Sequence, residues 1–209
     1  MSKLQVKRDI PYFSQWESPQ LVEDIYSGKI KAAADPFWRN SGAQSIEEYE
    51  LWSWNVCGMA CLKMILASEF KQEFKTIKLA RKCEKYGGFI AKENKIEGLY
   101  YKPMIGFLRQ EFGLHVFSDF QLDLVRMKKE FRSGNYVIAS VNSKIRDIKK
   151  FPSVETKGGH LALITCIDDD FVTIHNPSGY YGKSQSNYKL SARTFEKYFA
   201  ERGIVVSAR

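Results

Sequence analysis

Gly158-Gly159-His160-Leu161-Ala162-Leu163-Ile164-Thr165-Cys166-Ile167-Asp168-Asp169-Asp170-Phe171-Val172-Thr173-Ile174-His175-Asn176-Pro177 reads as a β-hairpin with chemistry at one end. Residues 160–167 form a β-rich, largely apolar run, three aspartates turn the chain, and 171–175 returns. A hairpin of this size carries Asn176 back beside His160. An asparagine carbonyl that accepts a ring N–H fixes the tautomer of a catalytic imidazole. His175 belongs to the opposite face of the strand from Asn176. The two glycines before His160 keep the approach to its ring uncrowded.

Upstream the pattern is helical. The apolar spacing predicts helices over 19–29, 45–52, 57–71, 74–86 and 102–112. Ser45, followed three residues later by Glu48, supplies an N-terminal signal, and Gly87-Gly88 and Gly113 supply stops. Further strands are expected over 10–13, 114–117, 136–141 and 204–207, with helices over 122–132 and 191–200. Helices precede antiparallel strands, so the fold class is α+β, built as one domain of 209 residues.

The helix over 57–71 begins Cys57-Gly58-Met59-Ala60-Cys61. A thiolate is favoured at a helix N-terminus and beside an imidazole, which makes Cys57 the candidate nucleophile and the expected low-pKa thiol of the four cysteines. Gly58 would let a substrate carbonyl approach the backbone closely. His160 is the candidate general base and Asn176 its orienting partner. Cys61, one turn on, reads as packing. Three other assignments stay open: an aspartate among Asp168, Asp169 and Asp170 as third member; zinc held by Cys57, Cys61, His160 and His175, at a spacing that fits no common pattern; and Trp52, Trp54, Tyr100 and Tyr101 as cleft walls. His115 reads as an ordinary strand residue.

Asn55-Val56-Cys57-Gly58-Met59-Ala60-Cys61-Leu62-Lys63-Met64-Ile65 resembles the nucleophile helix of C39-like peptidases. So does Gly158-Gly159-His160 with its apolar strand, acidic turn and Asn176-Pro177. Ile10-Pro11-Tyr12-Phe13-Ser14-Gln15 resembles the family's opening signature, whose glutamine contributes to the oxyanion hole. The resemblance implies a papain-like cysteine peptidase fold, with N-terminal helices packed on an antiparallel sheet. It implies a Cys57-His160-Asn176 triad, a thioester intermediate, and Gln15 as oxyanion donor. The expected reaction is hydrolysis of a peptide or isopeptide bond. The alternatives are acyl transfer by the same triad and a catalytically silent binding module. Leader peptidases of the family place the glutamine a few residues before the cysteine; here 41 residues, 16–56, intervene. That difference implies a helical insertion at 16–53, with bends at Asp35-Pro36 and Ser41-Gly42 where a lid over the cleft could hinge.

Composition bounds the rest. Hydrophobic residues make up 44% of the chain, enough for a core, and no apolar run approaches the roughly 20 residues of a membrane helix. The N-terminus carries basic residues without an apolar segment behind them, so no signal peptide is visible and a cytoplasmic location is expected, with export by another route left open. Four cysteines in such a chain read as free thiols. The net charge is +8, with 6 basic and 8 acidic residues over 1–56 against 26 and 16 over 57–209. That asymmetry fits an acidic partner or a solvated basic surface. No phosphate loop, nucleic-acid motif or metal-ligand spacing accompanies it, so the expected partner is a peptide or protein substrate, with no cofactor or metal.

Overall fold

The computed structural model describes residues 9–208. Its helical half begins with a 3-10 turn at Pro19–Leu21, α1 (Val22–Tyr26) and α2 (Ile46–Ser53). Then follow α3 (Cys57–Phe70), α4 (Thr76–Lys85), a small hairpin of β1 (Phe89–Lys92) and β2 (Lys95–Gly98), and α5 (Tyr101–Phe112). The second half comprises β3 (Val116–Asp119), α6 (Leu124–Arg132), β4 (Tyr136–Val141), β5 (His160–Ile167), β6 (Phe171–His175), β7 (Tyr188–Ser191), α7 (Ala192–Glu196) and β8 (Phe199–Val206).

α3 is the central helix. Every residue from Gly58 to Leu66 is buried, so the helix is apolar all round rather than on one stripe. It packs against β5, and α4 and α5 close around the same core. The sheet has six antiparallel strands in the order β3-β8-β4-β5-β6-β7. β4 and β5 lie inside it and are buried along their whole length. Alternate side chains serve two cores: Ile138, Leu161 and Leu163 face the α3 side, whereas Val137, Ala139, Ala162 and Ile164 join α6 and α7. Covering both faces explains why these strands read as near-continuous apolar runs.

Several expectations are corrected. Residues 10–13 form no strand. Pro11 has no N–H to give a ladder, and the segment is fixed otherwise. The His175 Nε2–H donates to the Ile10 carbonyl (2.9 Å), the Tyr12 hydroxyl to the Asn176 carbonyl (3.0 Å), and the Ser14 hydroxyl and Gln15 N–H both to the Pro177 carbonyl (3.0 Å each). The helix expected over 19–29 is a 3-10 turn plus the short α1, ending before Gly28 at φ 78°. The helix expected over 191–200 stops at Glu196, because Phe199 is already paired with Val141 in the sheet. The strand expected over 114–117 lies two residues later. The small β1–β2 hairpin and β7, short and rich in charged or polar residues, carry too weak an alternation to be seen beforehand. The basic N-terminal residues 1–8 lie outside the described residues.

Ser45 caps α2 by accepting the Glu48 N–H at 3.2 Å. The segment around it is packed into the fold: Trp16, Val22, Ile25, Tyr49 and Trp52 all join the α3 core. Asp35, where a hinge was expected, is a buried hub. It accepts from the Ser18 N–H (2.9 Å), the Ser18 hydroxyl (2.6 Å), the Tyr49 hydroxyl (2.5 Å) and the Phe37 N–H (3.0 Å). A bend there would strand all four donors.

Candidate active site

Cys57 is the first residue of α3, and Val56 before it offers no side-chain cap, so the first-turn N–H groups face the sulfur's end of the helix. Burial pushes the Cys57 thiol up; the backbone N–H groups of Leu161, Gly58 and Cys57 itself, and then the charge of Arg146, pull it back down. Burial is the largest of these effects and opposes the helix terminus. Cys57 is nevertheless the one cysteine that is only half-buried, and all four are unbridged. Cys61 is buried, its Sγ 3.6 Å from the Leu161 carbonyl, and burial with the neighbouring Cys57 raises it well above the usual thiol range. Burial pushes Cys83 up to about 12.

Gly58 has a different role from the one expected. A Cβ there would lie 2.6 Å from Leu99 Cδ2 and 2.9 Å from Leu161 Cδ1. Its missing side chain lets the start of α3 press against both walls of the groove; it is not open to a substrate. Of the two glycines before His160, Gly159, at φ 88°, has nothing within 4 Å of where a Cβ would stand, whereas a Cβ at Gly158 would lie 2.7 Å from Arg202 Nη2, so only the second opens onto clear space.

His160 opens β5, paired with Val141. The β5–β6 register sets Leu163 against His175, which returns the chain toward His160. His160 Nε2 lies 2.8 Å from Asn176 Oδ1 and 3.0 Å from Ser178 Oγ. Asn176 Oδ1 also accepts the Ser178 N–H at 3.3 Å, which fixes the amide's orientation. A carbonyl oxygen only accepts, so the ring hydrogen sits on Nε2. The lone pair is then on Nδ1. Burial holds the His160 ring down to about 3, the Arg146 charge adds to that, and the Asn176 bond opposes it. Burial thus disfavours the charged form of both members of the candidate pair.

Cys57 and His160 line one groove of about 620 Å³. Its walls include Trp54, Leu99, Tyr100, Tyr101 and Phe120, with Arg202 at the rim. Tyr101 stacks on Phe120, ring centroids 5.9 Å apart, and Trp54, Tyr100 and Phe120 are exposed. Of the four aromatics considered as cleft walls, Trp52 instead sits in the core against Phe89.

Gln15 is buried, with its backbone N–H on the Pro177 carbonyl just beyond Asn176, and is not among the residues that line the groove. Its Nε2 donates to the Ser53 carbonyl at 2.9 Å, and its Oε1 has no partner. The aspartates lie at the other end of β5, roughly 25 Å along the strand from His160. Asp168 Oδ1 accepts the N–H groups of Asp170 and Phe171, and Asp169 pairs with Lys128 at 3.1 Å. They build the hairpin turn. His175 is engaged on both nitrogens, with Nδ1 accepting the Asn187 N–H at 3.0 Å. Among the described residues no group of three or more His, Cys, Asp or Glu is arranged to hold a metal, and no helix is long and apolar enough to cross a membrane. His115 lies just before β3, its Nδ1 3.2 Å from Ser207 Oγ. The sequence reading missed Ser178 and Arg146; Ser178, two residues beyond Asn176, was within reach of the same hairpin argument.

An α+β fold with a cysteine at the start of the central helix and a histidine opening the facing sheet strand is papain-like. The chain matches the sequence model of the Peptidase_C39 like family over residues 7–206 and belongs to that family. A structure described as a C39-like peptidase from Bacillus anthracis superposes with a TM-score of 0.53 at 15% identity, covering 74% of this chain and 89% of that one. The peptidase domain of Streptococcus ComA, a bifunctional ABC transporter of a quorum-sensing pathway, gives 0.50 at 11% identity, with 75% and 93% covered. At such identities the likeness is one of fold. No curated protein matches the chain.

Proposed function

We propose that the protein is a cysteine peptidase in which Cys57 attacks an amide carbonyl, His160 moves the proton and Asn176 orients the ring. The observation that carries this reading is the 2.8 Å contact between His160 Nε2 and Asn176 Oδ1, beside a groove that Cys57 shares. With Nε2 committed to Asn176 and Ser178, Nδ1 is the ring nitrogen that receives the thiol proton. Burial disfavours both charged forms, and proton transfer that accompanies attack avoids forming a buried ion pair first. The sulfur–carbon bond forms as the carbonyl π pair moves onto oxygen. The backbone N–H of Cys57 and the second Nε2 hydrogen of Gln15, which Ser53 does not use, stabilise that oxyanion. His160 then protonates the leaving amine. Water, deprotonated by His160, resolves the thioester and frees the acid.

The groove's exposed Tyr100 and Phe120 suit an apolar side chain of the substrate. The test is mass analysis of products from a peptide library, with and without an added amine. New carboxyl termini that form in both conditions, and not with Cys57→Ala, support hydrolysis. Products that appear only as amine adducts would replace it with acyl transfer by the same triad. No turnover by any peptide would support a silent binding module.

A further inference from the structure

The groove that holds Cys57 and His160 is also lined by two cations, Arg202 and Lys102, and among the described residues that line it there is no aspartate or glutamate. Neither cation forms an ion pair among the described residues. Arg202 is half-buried, and the Tyr101 hydroxyl neighbours both it and Ser140. Hydroxyls therefore flank the guanidinium, and no carboxylate neutralises it.

The backbone is shaped to bring Arg202 there. In the pairing of β4 with β8, Ala139 faces Gly203 and Val141 faces Phe199, so residues 200–202 of β8 stand against Ser140 alone. Within this bulge Glu201 adopts φ 51°, and its carbonyl accepts the Leu122 N–H at 2.9 Å. A bulge re-aims the side chains of its strand, and here it delivers Arg202 to the groove. Gly158, at φ 92°, completes the fit. A Cβ on it would lie 2.7 Å from Arg202 Nη2 and 3.2 Å from Ser140 Oγ, so the guanidinium fills space that a side chain would take.

The sheet register sets the distance to the chemistry. Ser140 pairs with Leu161 of β5, so the bulge, Ser140 and Leu161 form one row across three adjacent strands. The Leu161 N–H is one of the groups that bond the Cys57 thiol. Two strand spacings, about 10 Å, separate β8 from β5, and an extended peptide advances about 3.3 Å per residue. The arginine side chain closes part of that span.

We propose that Arg202, helped by the charge of Lys102, binds a carboxylate in the Cys57 groove, so that the preferred substrate carries an acidic group one or two residues from the attacked carbonyl. The planar fork of a guanidinium matches a carboxylate in two parallel hydrogen bonds. The inference rests on Cys57 being the nucleophile of a peptidase.

The test scans charge around the cut. Peptides that the protein cleaves are remade with Glu or Gln at each of the two positions on either side of the scissile bond. The ratio of kcat/KM for the Glu peptide to that for its Gln twin cancels any loss of folded or reactive enzyme, because both meet the same protein. At one position the ratio should be about tenfold or more. Arg202→Gln should remove most of it, and Arg202→Lys, which keeps the charge without the fork, should keep part. A further pair ends within two residues of the cut in a free carboxylate or an amide. A preference for the free end, without one for Glu, assigns the site to a chain terminus. Ratios near one for every pair, with cleavage intact, overturn the subsite and leave the peptidase reading standing. A ratio that persists in Arg202→Gln overturns it equally. If no peptide is cut, the peptidase reading falls, and protection decides the subsite. Blocked alanine pentapeptides with a central Glu or Gln are then added during iodoacetamide labelling of Cys57. Stronger protection by the Glu peptide, lost in Arg202→Gln, supports a carboxylate site in a binding module; equal protection, or none, overturns it.

Discussion

Asn176→Ala separates orientation from proton transfer. Asn176 Oδ1 is 2.8 Å from His160 Nε2, and both residues are buried. Loss of one buried acceptor leaves an N–H unsatisfied, at about 1–3 kcal/mol. Ser178 Oγ, at 3.0 Å from the same nitrogen, remains as a substitute acceptor and limits the loss. A cost of about 1.4–2.7 kcal/mol follows, or roughly a 10- to 100-fold fall in kcat/KM. Ser178→Ala, which keeps the better acceptor, should cost about fivefold or less. The double variant should cost more than the two single effects combined, because each residue covers for the other. The assay is turnover of a peptide substrate, backed by the iodoacetamide rate at Cys57 and a thermal melt to confirm folding. If Ser178→Ala is the more damaging single change, or if Asn176→Ala is as inactive as His160→Ala, the tautomer argument is wrong.

Three further outcomes are expected. Gln15→Ala should lower peptide turnover by roughly 100-fold or more, but alkylation by iodoacetamide, which forms no oxyanion, far less; equal losses would assign Gln15 to folding alone. His160 is held down to about 3 in the fold, so the folded state binds fewer protons than the unfolded chain between about pH 3 and 6.5. Its contribution is therefore present above the upper limit and lost on acidification through this window, at up to about 1.4 kcal/mol per pH unit; His160→Gln should flatten urea midpoints measured from pH 6.5 to 4, and an unchanged slope would contradict the burial argument. Asp35→Ala should destabilise the fold by about 3 kcal/mol, since it strands the Ser18 and Tyr49 donors, whereas a loss under about 0.5 kcal/mol would mean the 16–53 segment moves as a lid.

The legible parts of the sequence were those where one local signal suffices. β4, β5 and β6 match their expected bounds because each is an apolar run between turn residues and is paired on both sides. The proximity of His160 and Asn176 was legible for the same reason, being set by one hairpin. The end of α7 was not, because sheet pairing at Phe199 overrides a helical pattern that would otherwise continue. Arg146 could not be found from its neighbours in sequence. It is covered by Tyr26, 120 positions away, a contact that only the folded chain shows. The thiol's position on the helix was readable, but its burial, which outweighs the helix terminus, was not.

The central claim, that Cys57 is the nucleophile and His160 its base, is tested most directly by intact-mass and peptide-mapping analysis after reaction with a library of peptidyl vinyl sulfones. These reagents add to a thiolate and need a proton delivered to the α-carbon. The account predicts one adduct per chain, on Cys57, lost in His160→Ala and slowed but retained in Asn176→Ala. Labelling that falls first on Cys61, Cys83 or Cys166, or that proceeds at Cys57 as fast in His160→Ala as in the intact protein, would contradict it.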